Sequence, residues 1–476
     1  MKFPRRLFAA SAVMFILACV MFLPHAMASG TPYETTADDQ SEIAITIYND
    51  GTGLVKDTRD LNMPTGQVDM VFMDVAASID ATSVHFVSNT APNAIGILEQ
   101  NYEYDLVSTA KLYEKYLDKQ ISIRTSDGRT IAGTLLSSSG GMVIQTAEGI
   151  VIVNDVTEVT FEKLPEGLIT RPTLKWSLIN DHAGSQECEM SYLTSGMTWS
   201  ANYVAVVNQN DSKLDLSGWV TINNTSGTGY NDAVLKLVAG QIHRVTPQYN
   251  LGYDQYAYDM AAPMAAGAQG FEEESFFEYH LYTLQRPATV LNNQQKQISL
   301  LEGEGIGVNK IFVFDPAAAY YGIGDTTEGK IEVNLKFMNS ERNGLGLPLP
   351  KGIIRVYKED SSGSLQFIGE DQIDHTPKDE EIEIFLGEAF DIVGERVVMD
   401  RRELAWNLWE YDVEVTLRNH KTERIEVVYW DHVWGDWTVT KSNHEYSQKD
   451  ASTVEFVLPV AVDGETKLTY TIRREW

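Results

Sequence analysis

Cysteine is nearly absent from this 476-residue sequence, which holds only Cys19 and Cys188. Cys19 falls inside an apolar leader, so the chain beyond it keeps one thiol and has no internal disulfide available. Stability must come from packing. Basic residues are also scarce: 37 lysines and arginines stand against 67 aspartates and glutamates, a formal charge of −30. That field repels phosphate backbones and anionic lipid surfaces. The longest basic stretches are the pairs Arg401-Arg402 and Arg473-Arg474, each beside a glutamate, so nucleic acid is not an expected partner. Beyond residue 28 no apolar run is long enough to span a bilayer. His-Glu-x-x-His, Gly-x-Ser-x-Gly, phosphate-cradling loops and dinucleotide glycine fingerprints are missing. The common hydrolase, kinase and dehydrogenase solutions lose their footing with them, and no cofactor is implied.

Hydrophobic residues make up 43% of the chain, enough for sizeable cores. Lys2, Arg5 and Arg6 precede the mostly apolar run from Leu7 to Leu23, and Ala26-Met27-Ala28 ends it. This is the pattern of a secretory signal peptide over 1–28, cleaved before Ser29. The expected destination is the periplasm or cell surface. Lipidation at Cys19 is disfavoured, because Val20-Met21-Phe22-Leu23 continues the apolar core. In Glu187-Cys188-Glu189-Met190-Ser191-Tyr192 the alternation places Cys188, Met190 and Tyr192 on one strand face. The adjacent glutamates oppose thiolate formation, so a buried, inert thiol is expected.

The rest of the chain has β periodicity. Ile43, Ile45 and Ile47 lead into a turn at Asn49-Asp50-Gly51, and further runs at Val68 to Met73 and Val84 to Val87 suggest a β domain over 29–105. A short helix follows, with Ser108 as its cap, and then five short apolar runs between Ile121 and Phe161. A helix feeding five short strands is the layout of a small barrel over 106–165. Ile121, Ile123, Asp127-Gly128-Arg129, Gly133 and Leu135 resemble the first motif of the Sm-like fold, although Ser137-Ser138-Ser139-Gly140 replaces the RNA-reading loop and the second motif is absent from Asn154-Asp155-Val156. The segment therefore reads as an inserted structural module. Strands at sandwich-like spacing recur over 166–315, interrupted at 246–270 by a low-complexity stretch that reads as a mobile loop. A second β-sandwich is expected over 316–476, ending in a hairpin turned by Asp463-Gly464. The fold class is mainly β, with multidomain antiparallel sandwiches and a small barrel inserted near the N-terminal half.

Several stretches resemble the bacterial domain-of-unknown-function family 4139. They are Ile47-Tyr48-Asn49-Asp50-Gly51, Glu103-Tyr104-Asp105-Leu106, Ser191 to Tyr203, Leu237-Val238-Ala239-Gly240, Leu347-Pro348-Leu349-Pro350-Lys351-Gly352 and Gly369 to Pro377. The resemblance implies an exported β protein. Relatives described as mucoidy-inhibitor-like usually carry another amino-terminal domain and a coiled-coil segment, neither of which is evident here. The family has no established reaction, so no catalytic residue is carried over.

The densest polar constellation is Glu370, Asp371, Asp374 and His375, followed by Thr376-Pro377, with Asp391, Glu395 and Arg396 downstream. Carboxylates with an imidazole suit a hard cation or shared acid and base roles. The simpler reading is a turn in which Asp374 or Thr376 bonds the backbone before proline. A smaller group is Asp431, His432 and Asp436. Trp430, Trp434 and Trp437 near the turn Gly435-Asp436 read as core and rim packing rather than a sugar platform. The sequence thus favours an exported, non-enzymatic scaffold or binding module whose partner is an envelope protein or glycan. The rival reading is a hydrolase or metal-dependent enzyme acting on an envelope polymer through Glu370 to His375.

Overall fold

A computed structural model describes residues 30–240, 242–243, 270–316 and 326–475. The leader with its cleavage pattern, Cys19 and all of the 246–270 stretch except Gly270 lie outside the described residues. Those described comprise 31 strands and one α-helix, Thr109–Lys115. None of their helices is long and apolar enough to cross a membrane.

The largest core runs from Ile43 to Ile384 and is enclosed by three sheets. One has the order Thr31–Thr35, Gly66–Met73, Thr173–Asn180, Ile95–Glu103. The second runs Phe271–Phe276, Tyr279–Leu284, Tyr230–Ala239, Gln40–Tyr48, Thr52–Leu61, Gln186–Ser195, His85–Ser88. The third runs Gln294–Gly307, Lys213–Asn224, Met197–Val207, Gly352–Glu359, Leu365–Ile373. Alternation explains these strands: in Met197–Val207 every second residue from Met197 onward is buried. The Asn49-Asp50-Gly51 turn forms as the sequence suggests, with Gly51 at φ +90°, a conformation glycine adopts at little cost.

Two features differ from the sequence expectation. Among the described residues four strand pairings are parallel, including Met197–Val207 with Gly352–Glu359 and Tyr230–Ala239 with Gln40–Tyr48. An alternating pattern is identical in either orientation, so it does not distinguish them. The sheets also cross the linear divisions at 29–105, 166–315 and 316–476, because strands from all three ranges border the same core.

The segment 106–165 has its own small core around Tyr116, Ile123, Leu135 and Ile144. Its five antiparallel strands lie in the order Gly149–Val153, Met142–Thr146, Thr130–Ser137, Gln120–Thr125, Val156–Thr160. The two outermost strands do not pair with each other, so among the described residues this sheet does not close into the expected barrel. Ser108 caps the helix by accepting from the Lys111 N–H. The segment interrupts the antiparallel neighbours Ile95–Glu103 and Thr173–Asn180, and a bridge between Leu106 and Ile169 closes its base.

The C-terminal core is centred on Phe314, Tyr429, Phe456 and Tyr470. Around it lies a nine-stranded sheet: Asp436–Ser442, Gly464–Glu475, Leu408–Asn419, Glu381–Ala405, Thr326–Met338, Asn309–Phe314, Ile425–His432, Thr453–Val460, Ser447–Asp450. Phe456 and Tyr470 belong to distant strands of that order, yet their rings are 5.0 Å apart. The sheet therefore folds back over its own core. This corrects the expected terminal hairpin: Thr453–Val460 pairs with Ile425–His432, whereas Gly464–Glu475 pairs with Leu408–Asn419. Both strands bury their apolar face in one core from opposite sides, and the Asp463 turn carries the chain across.

Candidate functional site

Five of the six family-like stretches, scattered along the sequence, meet at one end of the large core. The Asn49 amide donates to the Trp199 carbonyl at 3.3 Å and accepts from the Gly240 N–H at 3.4 Å. The Trp199 indole donates to the Val238 carbonyl. Two buried tyrosines reach the proline-rich string: Tyr203 donates to the Pro350 carbonyl at 2.7 Å and Tyr282 to that of Pro348 at 3.0 Å. Leu349 and Thr376 exchange both main-chain bonds. Asn339 then ties the two ends of this region together, donating to the carbonyls of Leu347 and Pro377. Proline supplies only a carbonyl, so the tyrosine hydroxyls satisfy acceptors that would otherwise be buried unpaired.

The candidate residues Glu370, Asp371, Asp374 and His375 border this network. Glu370 lies opposite Arg355 on the neighbouring strand and pairs with it at 3.0 Å. Asp371 accepts from its neighbour Gln372 N–H and, across to the next strand, from Phe385 N–H at 2.8 Å. Asp374 is 90% exposed at its side chain, with Lys351 Nζ 3.5 Å away. His375 Nδ1 accepts from the Lys351 N–H at 3.1 Å, and Thr376 Oγ1 donates to the Asp374 carbonyl. The His375 imidazole is held below its ordinary pKa, first by partial burial and then by Lys351 and His280, with Asp374 opposing. His280 is itself engaged, its Nδ1 lying 2.7 Å from the Glu273 carboxylate, whose side chain is only 4% exposed. The carboxylates and imidazole are therefore committed to strand edges, main-chain groups and cations. Among the described residues no three His, Cys, Asp or Glu side chains converge as a metal cluster would require. Lys351, Arg355, Glu273 and His280 were not legible as part of this site. Only Lys351 carried a signal, its place in the Leu-Pro-Leu-Pro-Lys-Gly string.

The downstream residues go elsewhere. The Asp391 carbonyl accepts from His420 N–H, and Glu395 pairs with Arg418 at 2.6 Å. Arg396 meets Asp431, which came from the separate Asp431, His432 and Asp436 group. Its guanidinium donates to that carboxylate at 3.2 Å and to the Tyr429 hydroxyl at 3.0 Å. Tyr470 also donates to Asp431 and lies 3.1 Å from the Tyr429 hydroxyl. Asp431 and both tyrosines are buried, so this is a satisfied network within the C-terminal core. Its neighbour His432 instead contacts Asp315 and Thr453.

The three tryptophans have three different fates. The ring of Trp430 is covered by Lys449 Nζ, 3.0 Å from its centroid, and its N–H donates to Glu455. Trp437 packs against the core and donates to the Ala451 carbonyl. Trp434 is exposed. Cys188 is buried, and burial pushes its thiol up to about 12, with Ser88 opposing and Glu187 and Asp60 adding to the rise. A shallow cleft of about 430 Å³ lies at the surface between Val439 and Tyr446.

No family model matches the chain, and no curated protein matches it either.

Proposed function

We propose that this chain is a non-enzymatic β scaffold or binding module, exported by residues 1–28 to the periplasm or cell surface and related to family 4139. Its segment 106–165 is a structural insert derived from an Sm-like module, and its partner is an envelope protein or glycan. One observation carries the reading: five polar side chains of the family-like stretches are spent on main-chain groups. Asn49, Trp199, Tyr203, Asp371 and His375 each bond a backbone N–H or carbonyl belonging to another strand or loop. Such groups fix the relative placement of sheets. A catalytic acid or base would instead keep a reactive atom directed at a substrate.

The rival hydrolase reading draws on one fact, the His375 imidazole next to Asp374, held below its ordinary pKa by partial burial. Incubating the mature protein with purified envelope from its own host separates the two readings. Co-sedimentation without release of sugar or peptide fragments is the expected result. Fragment release that disappears in His375→Gln and Asp374→Asn would overturn the scaffold assignment.

A further inference from the structure

We propose that the end of the C-terminal sandwich bearing Trp406 and Trp434 is a binding platform for an uncharged oligosaccharide. This deepens the binding-module reading and rests on it. Trp406 occupies the two-residue turn between Glu381–Ala405 and Leu408–Asn419, and Trp434 occupies the loop between Ile425–His432 and Asp436–Ser442. They are 84% and 71% exposed, the two most exposed tryptophans among the described residues. The sheet register brings their loops together. Glu475 lies opposite Leu408 on one side and opposite Asp436 on the other. Leu408 and Asp436 are thus two strand spacings apart, about 10 Å, and each tryptophan stands two residues from one of them. A single oligosaccharide can span that distance.

Two largely exposed indoles on loop tips at the same end of the sheet present apolar area that a ligand can cover. The chemistry around them selects the ligand. A pyranose ring presents one face of electron-poor C–H groups, which suits the negative face of an indole, and a rim of hydroxyls that needs fixed donors and acceptors. The two indoles offer the first, and the amide of Asn407, next to Trp406, offers the second. Asn407 is held in place by donating to Glu475 at 2.9 Å. Just below, Arg474 lies in register between Trp409 and Trp437.

Charge argues against anionic ligands. Both basic pairs of the sequence converge on this end, yet Arg402 is bound by Asp400, Asp412 and Glu410, and Arg473 by Glu410. The charge of these two arginines is already matched by carboxylates, and Arg401 lies over the Tyr411 ring, so an acidic polymer gains little from this end against the negative charge of the chain. An uncharged sugar loses nothing to the negative field of the chain.

The test is calorimetric titration of the mature protein with three uncharged probes: cellohexaose, maltohexaose and chitohexaose. The expected result is saturable binding of at least one probe with a change in tryptophan fluorescence. Trp406→Ala and Trp434→Ala should each weaken that binding by about tenfold or more at unchanged melting temperature. Trp430→Phe, whose ring is already covered by Lys449, should bind like wild type. Absence of binding to all three probes, or binding indifferent to Trp406 and Trp434, overturns the platform. Neither result touches the scaffold reading, which is tested separately by fragment release from envelope.

Discussion

Arg59 is wholly withdrawn from water, and its guanidinium is held by Asp57, the Thr35 hydroxyl and the Met73 carbonyl, with the Phe72 ring 3.6 Å beneath it. Asp57 lies two residues earlier on the same strand face, so removing its charge strands a buried cation. Asp57→Asn should therefore destabilise the protein by about 3–5 kcal/mol in urea unfolding; a loss under about 1 kcal/mol would mean that the pair is not buried in solution. His375 gives a pH-dependent prediction. Because its folded pKa lies below its ordinary value of 6.5, the unfolded chain takes up the proton first as pH falls. The stability contributed by the neutral ring is complete above about pH 6.5 and is lost as pH drops through the folded value. The melting-temperature advantage of wild type over His375→Gln should shrink between pH 7.5 and pH 5, and an advantage that grew on acidification would contradict the geometry. Legibility at this scale followed periodicity. Cys188 was readable because alternation alone places it inside. Arg59 was not, because Lys56-Asp57-Thr58-Arg59-Asp60 looks like a solvated charged stretch until Thr31–Thr35 and Gly66–Met73 cover it.

Among elements, the insert at 106–165 makes the clearest prediction. Glu103 and Thr173 face each other in the ladder, and the chain between them leaves and returns at one point. Replacing residues 104–172 by Asn-Gly should convert the flanking strands into an ordinary hairpin. The deletion should keep its far-UV circular dichroism and cooperative unfolding; a molten product would show that the insert is part of the main core. A second test lies at the parallel pair between Met197–Val207 and Gly352–Glu359. A Cβ on Gly352 would stand 2.2 Å from the Ala201 carbonyl oxygen, a backbone atom unable to move aside. Gly352→Ala should cost about 1–3 kcal/mol, read by the same urea unfolding. The helix cap at Ser108 and the strands with clean alternation, such as Met197–Val207 and Lys213–Asn224, were legible, since each depends on neighbouring residues. Parallel partners and the fate of the terminal strands were not. Which strand pairs with which depends on tertiary packing, as the crossing at Asp463 illustrates.

For the whole molecule, the large core and the C-terminal core are joined by one ribbon. Thr326–Met338 and Glu381–Ala405 pair along their length, sending Leu335, Phe337, Ile382 and Ile384 to the large core and Ile331 and Ile392 to the C-terminal one. Between Glu332 opposite Glu388 and Lys330 opposite Val393, one residue faces four, and this bulge redirects the strand from one core to the other. Nothing in the local sequence marks it, since both halves alternate equally well. The same applies to the candidate site: Glu370 to His375 stands out by composition, but its partners Arg355, Lys351 and Phe385 are supplied by strands and a loop that the fold brings alongside. The central claim, that these residues build structure and do not bind a catalytic metal, is tested most directly by melting the wild type, Asp374→Asn and Glu370→Gln with and without calcium or magnesium. The expected result is no metal-dependent rise in Tm, with each substitution costing about 1 kcal/mol or less, as for exposed ion pairs. A metal-dependent rise in the wild type that both substitutions abolish would contradict the claim, because only a ligand bound to the folded state stabilises it in that way.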